Sequence, residues 1–113
     1  MDSSQVVVVF ITAASREEAV KLADLLLAAR RAACVSVLPG VESFFRWQGN
    51  RETADETLLI AKTTTGRLAQ LIETVKSGHS YQVPEIIALP VAGGNPDYLD
   101  WVARETCTRP EGE

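Results

Sequence analysis

Two extended segments, Cys34–Trp47 and Glu52–Thr63, joined by a turn signal at Gln48-Gly49-Asn50, constrain this chain more than anything else in it. A typical strand has about 5–6 residues, and each of these segments is roughly twice that. Antiparallel strands joined by so short a turn must pair as a hairpin. In a chain of 113 residues, which builds one two-layer domain, such a hairpin is too long to be covered and must project. Its outer half carries Phe44, Phe45 and Trp47. Apolar surface of that kind is rarely left open on a monomer, so the hairpin is expected to extend a neighbouring copy's sheet in a ring. Pro39-Gly40 interrupts the second strand, and proline inside a strand calls for a bulge that resets the alternation before Val41, Ser43, Phe45 and Trp47.

The remaining elements follow from periodicity. Val6–Thr12 is β-branched and continuously apolar, the pattern of a central strand covered on both faces. Ser15 and Glu18 form an S-x-x-E capping pattern, opening a helix over Arg16–Arg31 with Ala19, Leu22, Ala23, Leu26 and Leu27 on one face. A second helix follows Thr64/Thr65-Gly66, carries Leu68, Leu71, Ile72 and Val75, and stops at Gly78. Glu85–Val91 reads as the fourth strand. Asn95-Pro96-Asp97 starts a short last helix, with Asn as cap and Pro in the first turn. The order βαββαβ plus a helix predicts an α+β, ferredoxin-like sandwich: an antiparallel sheet, a long β2–β3 hairpin and two helices on one face. The whole chain, 1–113, reads as a single domain, with residues 1–5 and 108–113 as frayed ends.

Composition excludes several classes of function. The net charge is −4 and the pI about 5.0, which argues against a nucleic-acid partner, since that needs a basic face. No apolar run approaches the ~18 residues of a membrane span, and M-D-S-S-Q lacks the basic start of a signal peptide. Cys34 and Cys107 are far apart without a C-x-x-C, the pattern of reduced thiols in a cytoplasmic protein.

The chemistry-bearing residues gather around H-S-Y-Q-V-P-E-I-I-A-L-P, His79–Pro90. The lone histidine, His79, can ligate a metal through a neutral nitrogen or change charge near neutrality. Tyr81 and Glu85 are its companions, and Glu85, at the mouth of a buried strand, calls for a partner such as Lys62. Cys34 offers a soft thiolate to copper, although a lone thiolate does not close a tetrahedral site. Glu52, Asp55 and Glu56 read as a solvated, aggregation-blocking strand edge. A nucleophilic Cys34–His79 pair would need hydrogen-bond reach and an oxyanion hole. With no nucleophile elbow, H-E-x-x-H or glycine-rich cofactor loop present, the chain reads as a non-enzyme without an organic cofactor.

Taken together and in order, R-R-A-A-C-V-S-V at 30–37, W-Q-G at 47–49, L-L-I-A-K-T at 58–63, the His79–Pro90 segment and G-N-P-D-Y-L-D-W-V at 94–102 resemble the CutA divalent-cation-tolerance family. The resemblance covers about Val7 to Glu105. It implies a homotrimer of ferredoxin-like subunits, similar in architecture to PII signalling proteins, and an association with copper and other divalent cations. Under it, His79, Cys34 and Glu85 become candidate metal ligands, and Phe44, Phe45, Trp47 and Tyr81 candidate interface residues. An alternative function is a PII-like module binding a small ligand or anion between subunits through Tyr81, Lys62 and Arg67. The family usually reads H-P-Y-E-V-P-E where this chain has Ser80 and Gln82, and Gln82 keeps an oxygen donor without its charge. At the hairpin tip the family reads Y-W-W and then G-K, whereas Arg46 stands here for an aromatic and Asn50 for the lysine.

Overall fold

The computed structural model describes residues 4–107. Its elements are β1 (Val6–Ala13), α1 (Arg16–Ala28), β2 (Cys34–Trp47), β3 (Asn50–Thr64), α2 (Thr65–Gly78), β4 (Ile86–Pro90) and α3 (Pro96–Glu105). The strands form one antiparallel sheet in the order β2-β3-β1-β4. That is the expected α+β, ferredoxin-like arrangement. The expected tail from Thr108 lies outside the described residues. At the other end, Gln5 is tied down, its carbonyl accepting from Thr65 N–H.

The core lies between one sheet face and the two long helices. Val7, Val9, Ile11 and Ala13 point inward from β1, and Leu59 and Ala61 from β3. Ala19, Leu22 and Leu26 meet them from α1, as do Leu71 and Val75 from α2. The helical stripes on these segments exist to fill that layer.

Among the described residues the other sheet face is covered only towards its ends, where Val6 and Thr12 are buried, which corrects the two-sided burial expected along the whole of β1. Val8 and Phe10 are only half-buried. Their register partners on the same face are Lys62 and Leu89 for Val8, and Ile60 and Ile87 for Phe10. Ile87 is 53% and Leu89 50% exposed. An apolar strand flanked by an open apolar face is what a continuously apolar sequence becomes when only half its burial is supplied in cis.

The hairpin projects as its length required. β1 ends opposite Thr57, so the pairs from Val41–Glu56 to Trp47–Asn50 have no further neighbour. At about 3.4 Å per residue they reach roughly 20 Å beyond the sheet. The bulge falls where Pro39-Gly40 placed it: the register slips by one residue between Leu38 and Val41, with Gly40 at φ +85°. At the tip, Gln48 (φ +51°) and Gly49 (φ +83°) form a two-residue turn with both centres left-handed, the form that matches strand twist.

Helix α1 stops at Ala28, short of the expected Arg31. Arg30 adopts φ +56°, while Arg31 N–H donates to Leu26 O (2.8 Å) and Arg30 N–H to Leu27 O (3.1 Å). This is a Schellman closure with arginine where glycine is usual, so the sequence carried no glycine stop to read.

Candidate functional site: the junction after α2 and the cleft at the hairpin base

Helix α2 ends at Gly78, and His79 turns the chain out of it in an extended conformation. The imidazole is used up locally. Nε2 lies 2.7 Å from the Thr12 carbonyl, and Nδ1 accepts Tyr81 N–H at 3.0 Å. A carbonyl only accepts and a backbone amide only donates, so the ring is the Nε2–H tautomer with no free lone pair. The Tyr81 ring packs against it, centroids 4.7 Å apart.

Tyr81 crosses to the hairpin, its hydroxyl donating to Glu56 Oε2 at 2.8 Å. Burial, then this hydrogen bond and the carboxylate charges of Glu56 and Glu18, push the phenol up to about 12. Glu18 holds the junction from the other side. Ser15 Oγ accepts Glu18 N–H at 3.1 Å, as the capping pattern predicted, but the carboxylate does not return to Ser15. Instead Oε1 accepts Ala14 N–H (2.9 Å) and Oε2 accepts Ser80 N–H (2.8 Å). Burial works against ionisation, yet the bonds from Ala14 and Ser80 outweigh it and hold the Glu18 carboxyl below its ordinary range.

Beside this junction, at the base of the projecting hairpin, lies an open cleft of about 530 Å³ lined by Arg16, Pro39, Glu42, Asp55 and Glu56, among others. Three carboxylates against one guanidinium make it acidic. Asp55 and Glu56, read from sequence as a plain solvated edge, thus line a concavity, and Glu56 has a specific partner.

The other candidates lie elsewhere. Cys34 shares its register row with Lys62 and Val8, on the open sheet face. Thr12, which anchors His79, is four residues from Val8 along β1, about 13 Å. The thiol instead meets the Tyr98 side chain, where burial and then the cysteine's charge and hydrogen bond raise the phenol above its ordinary value. Neither a Cys34–His79 nucleophilic pair nor a Cys34–His79–Glu85 metal set forms within one chain. Among the described residues, no three His, Cys, Asp or Glu side chains converge as metal ligands. Glu85 precedes β4 and is exposed rather than buried, so the demand for a Lys62 partner disappears. Arg67 is buried, its Nε donating to Thr106 O at 2.7 Å, and it lies away from the cleft. Of the interface candidates, Phe44, Phe45 and Trp47 are exposed, whereas Tyr81 is half-buried in its own chain.

Sequence reasoning did not single out Thr12 or Glu18 as a tether, and it read Tyr98 as a packing group of the last helix without its Cys34 partner. Glu18 carried a signal, the capping pattern, but its second partner lies 62 positions away.

The sequence of residues 7–105 matches the family described as CutA1 divalent ion tolerance protein. The divalent-cation tolerance protein CutA of Thermus thermophilus is 50% identical over 99 residues, which are 88% of this chain and 96% of that one. Protein CutA 1, chloroplastic, of Oryza sativa is 44% identical over 88% of this chain, which spans 56% of that longer protein. Among solved structures, Thermus thermophilus Cut A1 superposes with a TM-score of 0.85 at 49% identity, covering 86% of this chain and 94% of that one. The periplasmic divalent cation tolerance protein CutA of Archaeoglobus fulgidus gives 0.86 at 40% identity, covering 89% and 98%.

Proposed function

Because this chain belongs to the CutA1 divalent ion tolerance family, we propose that it works as a self-assembled, non-catalytic binder of copper or similar divalent cations. The observation that carries this reading is the charge of the cleft, where Glu42, Asp55 and Glu56 outnumber Arg16. A concavity of one sign concentrates counter-ions, and carboxylates next to a Tyr81–Glu56 hydrogen bond favour a cation over an anion. The alternative, an anionic ligand held PII-fashion, is less well supported, because Lys62 and Arg67 do not line the cleft.

Self-assembly is supported by the open sheet face and the projecting hairpin. In a homotrimer, a second copy would cover Phe10, Ile60, Ile87 and Leu89 and supply the burial that the sequence of β1 calls for. Donors that one chain keeps apart would then meet across the interface. Cys34 and Glu85 would contribute from different copies, and His79 would contribute Nδ1 only by releasing Tyr81 N–H. A cytoplasmic location fits the free cysteines and belongs to the same proposal, as relatives carry chloroplastic and periplasmic descriptions. No helix of the described residues is long and apolar enough to cross a membrane.

Titration calorimetry with Cu(II) on the wild type, Glu56→Gln and His79→Ala tests the reading. Saturable binding weakened at least tenfold by Glu56→Gln is expected. Equal affinity in all three proteins removes the cleft from the proposal.

A further inference from the structure

At the far end of β3 from the cleft, more than six residues and roughly 20 Å away, two arginines face each other with no carboxylate of the described residues paired to either. Arg31 follows the Schellman turn of α1, and Arg67 lies in the first turn of α2, where the helix dipole adds to the positive potential. Arg31 Nη1 donates to Gln70 Oε1 at 3.2 Å, and Arg67 Nη1 donates to the same oxygen. Arg67 is only 5% exposed, and its one other recorded bond is Nε to the Thr106 carbonyl. Arg31 Nε is buried with no partner at all. No carboxylate of the described residues is paired with either; the ion pair nearby, Arg30–Glu105, uses neither of them.

This arrangement is costly as it stands. Burying a guanidinium is tolerated when a charged acceptor answers it, and here the buried Arg67 shares one neutral amide oxygen with the half-buried Arg31. Burial and then the Arg31 charge pull the Arg67 guanidinium below its ordinary value, an effect that Cys107 offsets only in part. Two guanidinium forks aimed at one point are the geometry that recognises a phosphate or carboxylate. Gln70 is exposed and free to swing aside, so its Oε1 marks where a charged oxygen would sit.

We infer that Arg31 and Arg67 form a binding site for a small oxyanion, phosphate or carboxylate, whose oxygen replaces Gln70 Oε1 between the two guanidinium groups. This inference is independent of the cation reading, which involves the other end of the molecule. The chain also carries Glu111 and Glu113 in sequence, so the oxyanion has two sources to separate: free in solution, as inferred, or the protein's own carboxylates.

The test is a titration of the full-length protein with inorganic phosphate at fixed ionic strength, followed by the arginine side-chain Nε–H resonances in nitrogen-15 spectra. Saturable shifts of Arg31 and Arg67 Nε–H are expected, absent with chloride alone. Gln70→Glu places a carboxylate at the site, and should raise the Tm and weaken the phosphate response at least tenfold. Arg31→Met should abolish the response at Arg67. No saturable shift, the same shift with chloride, or an undiminished response in Gln70→Glu would each overturn the inference. A response seen only in the Glu111→Gln/Glu113→Gln protein would overturn it too, because the protein's own carboxylates would then be the occupant.

Discussion

Tyr81 Oη donates to Glu56 Oε2 across 2.8 Å, and this bond joins the turn after α2 to the base of the projecting hairpin. Its energetics favour the protonated phenol. With the folded value near 12 against an ordinary 10.0, the contribution is fully present below about pH 10. Between pH 10 and 12 the unfolded chain loses the Tyr81 proton before the folded one, so the contribution fades and is gone above pH 12. Alkaline denaturation curves of wild type and Tyr81→Phe should therefore differ in slope across that window. Parallel curves would show that the phenol is not held as described.

Glu18 gives the opposite sign at the acid end. Its folded value lies below the ordinary 4.5, so its contribution is present above that pH and is lost as pH falls through the folded value. Glu18→Gln should cost about 1.5–3 kcal/mol at neutral pH, the range for hydrogen bonds to a charged group. The difference from wild type should shrink in acid, as urea titrations at both pH values would reveal. Ser15→Ala, which removes the cap on Glu18 N–H, should cost about 1 kcal/mol at either pH.

His79→Ala is expected to act first on stability. It orphans the Tyr81 N–H and frees the Thr12 carbonyl, a loss of about 1–3 kcal/mol. Chemical denaturation reads this directly. A variant as stable as wild type would mean that the imidazole is free for another role.

Gly40→Ala isolates the backbone cost of the bulge. Nothing lies within 4 Å of a Cβ added there, so the penalty comes only from φ +85°, about 1–2 kcal/mol. Thermal unfolding should show a lowered Tm without a change in assembly.

Ile87→Asp probes the open sheet face. Sedimentation should show a multimer for the wild type and lighter species for the variant, because a carboxylate would be buried unpaired. A wild-type monomer at micromolar concentration would sink the self-assembly argument.

The fold was legible because its signals are local. The S-x-x-E cap, Asn95-Pro96, the Pro39-Gly40 bulge and the Gln48-Gly49 turn each act over a few residues, and all four appear in the structure. The end of α1 was not legible, since Arg30 takes a left-handed conformation that only its surroundings explain. Its Nη1 donates to the Glu105 carbonyl, 75 positions away.

The candidate site divides along the same line. Sequence alone determined that His79, Tyr81 and Glu85 share one junction and that the hairpin outgrows its domain, because adjacency and strand length are written along the chain. Only the tertiary structure decided that both His79 nitrogens are occupied, that Tyr81 answers Glu56, that Cys34 stands on another part of the sheet, and that Arg31 meets Arg67 over Gln70. The reason is physical: hydrogen-bond partners are chosen by distance in space. β-sheet register and helix packing, set by burial over the whole chain, fix which distant side chains come within 3 Å of one another.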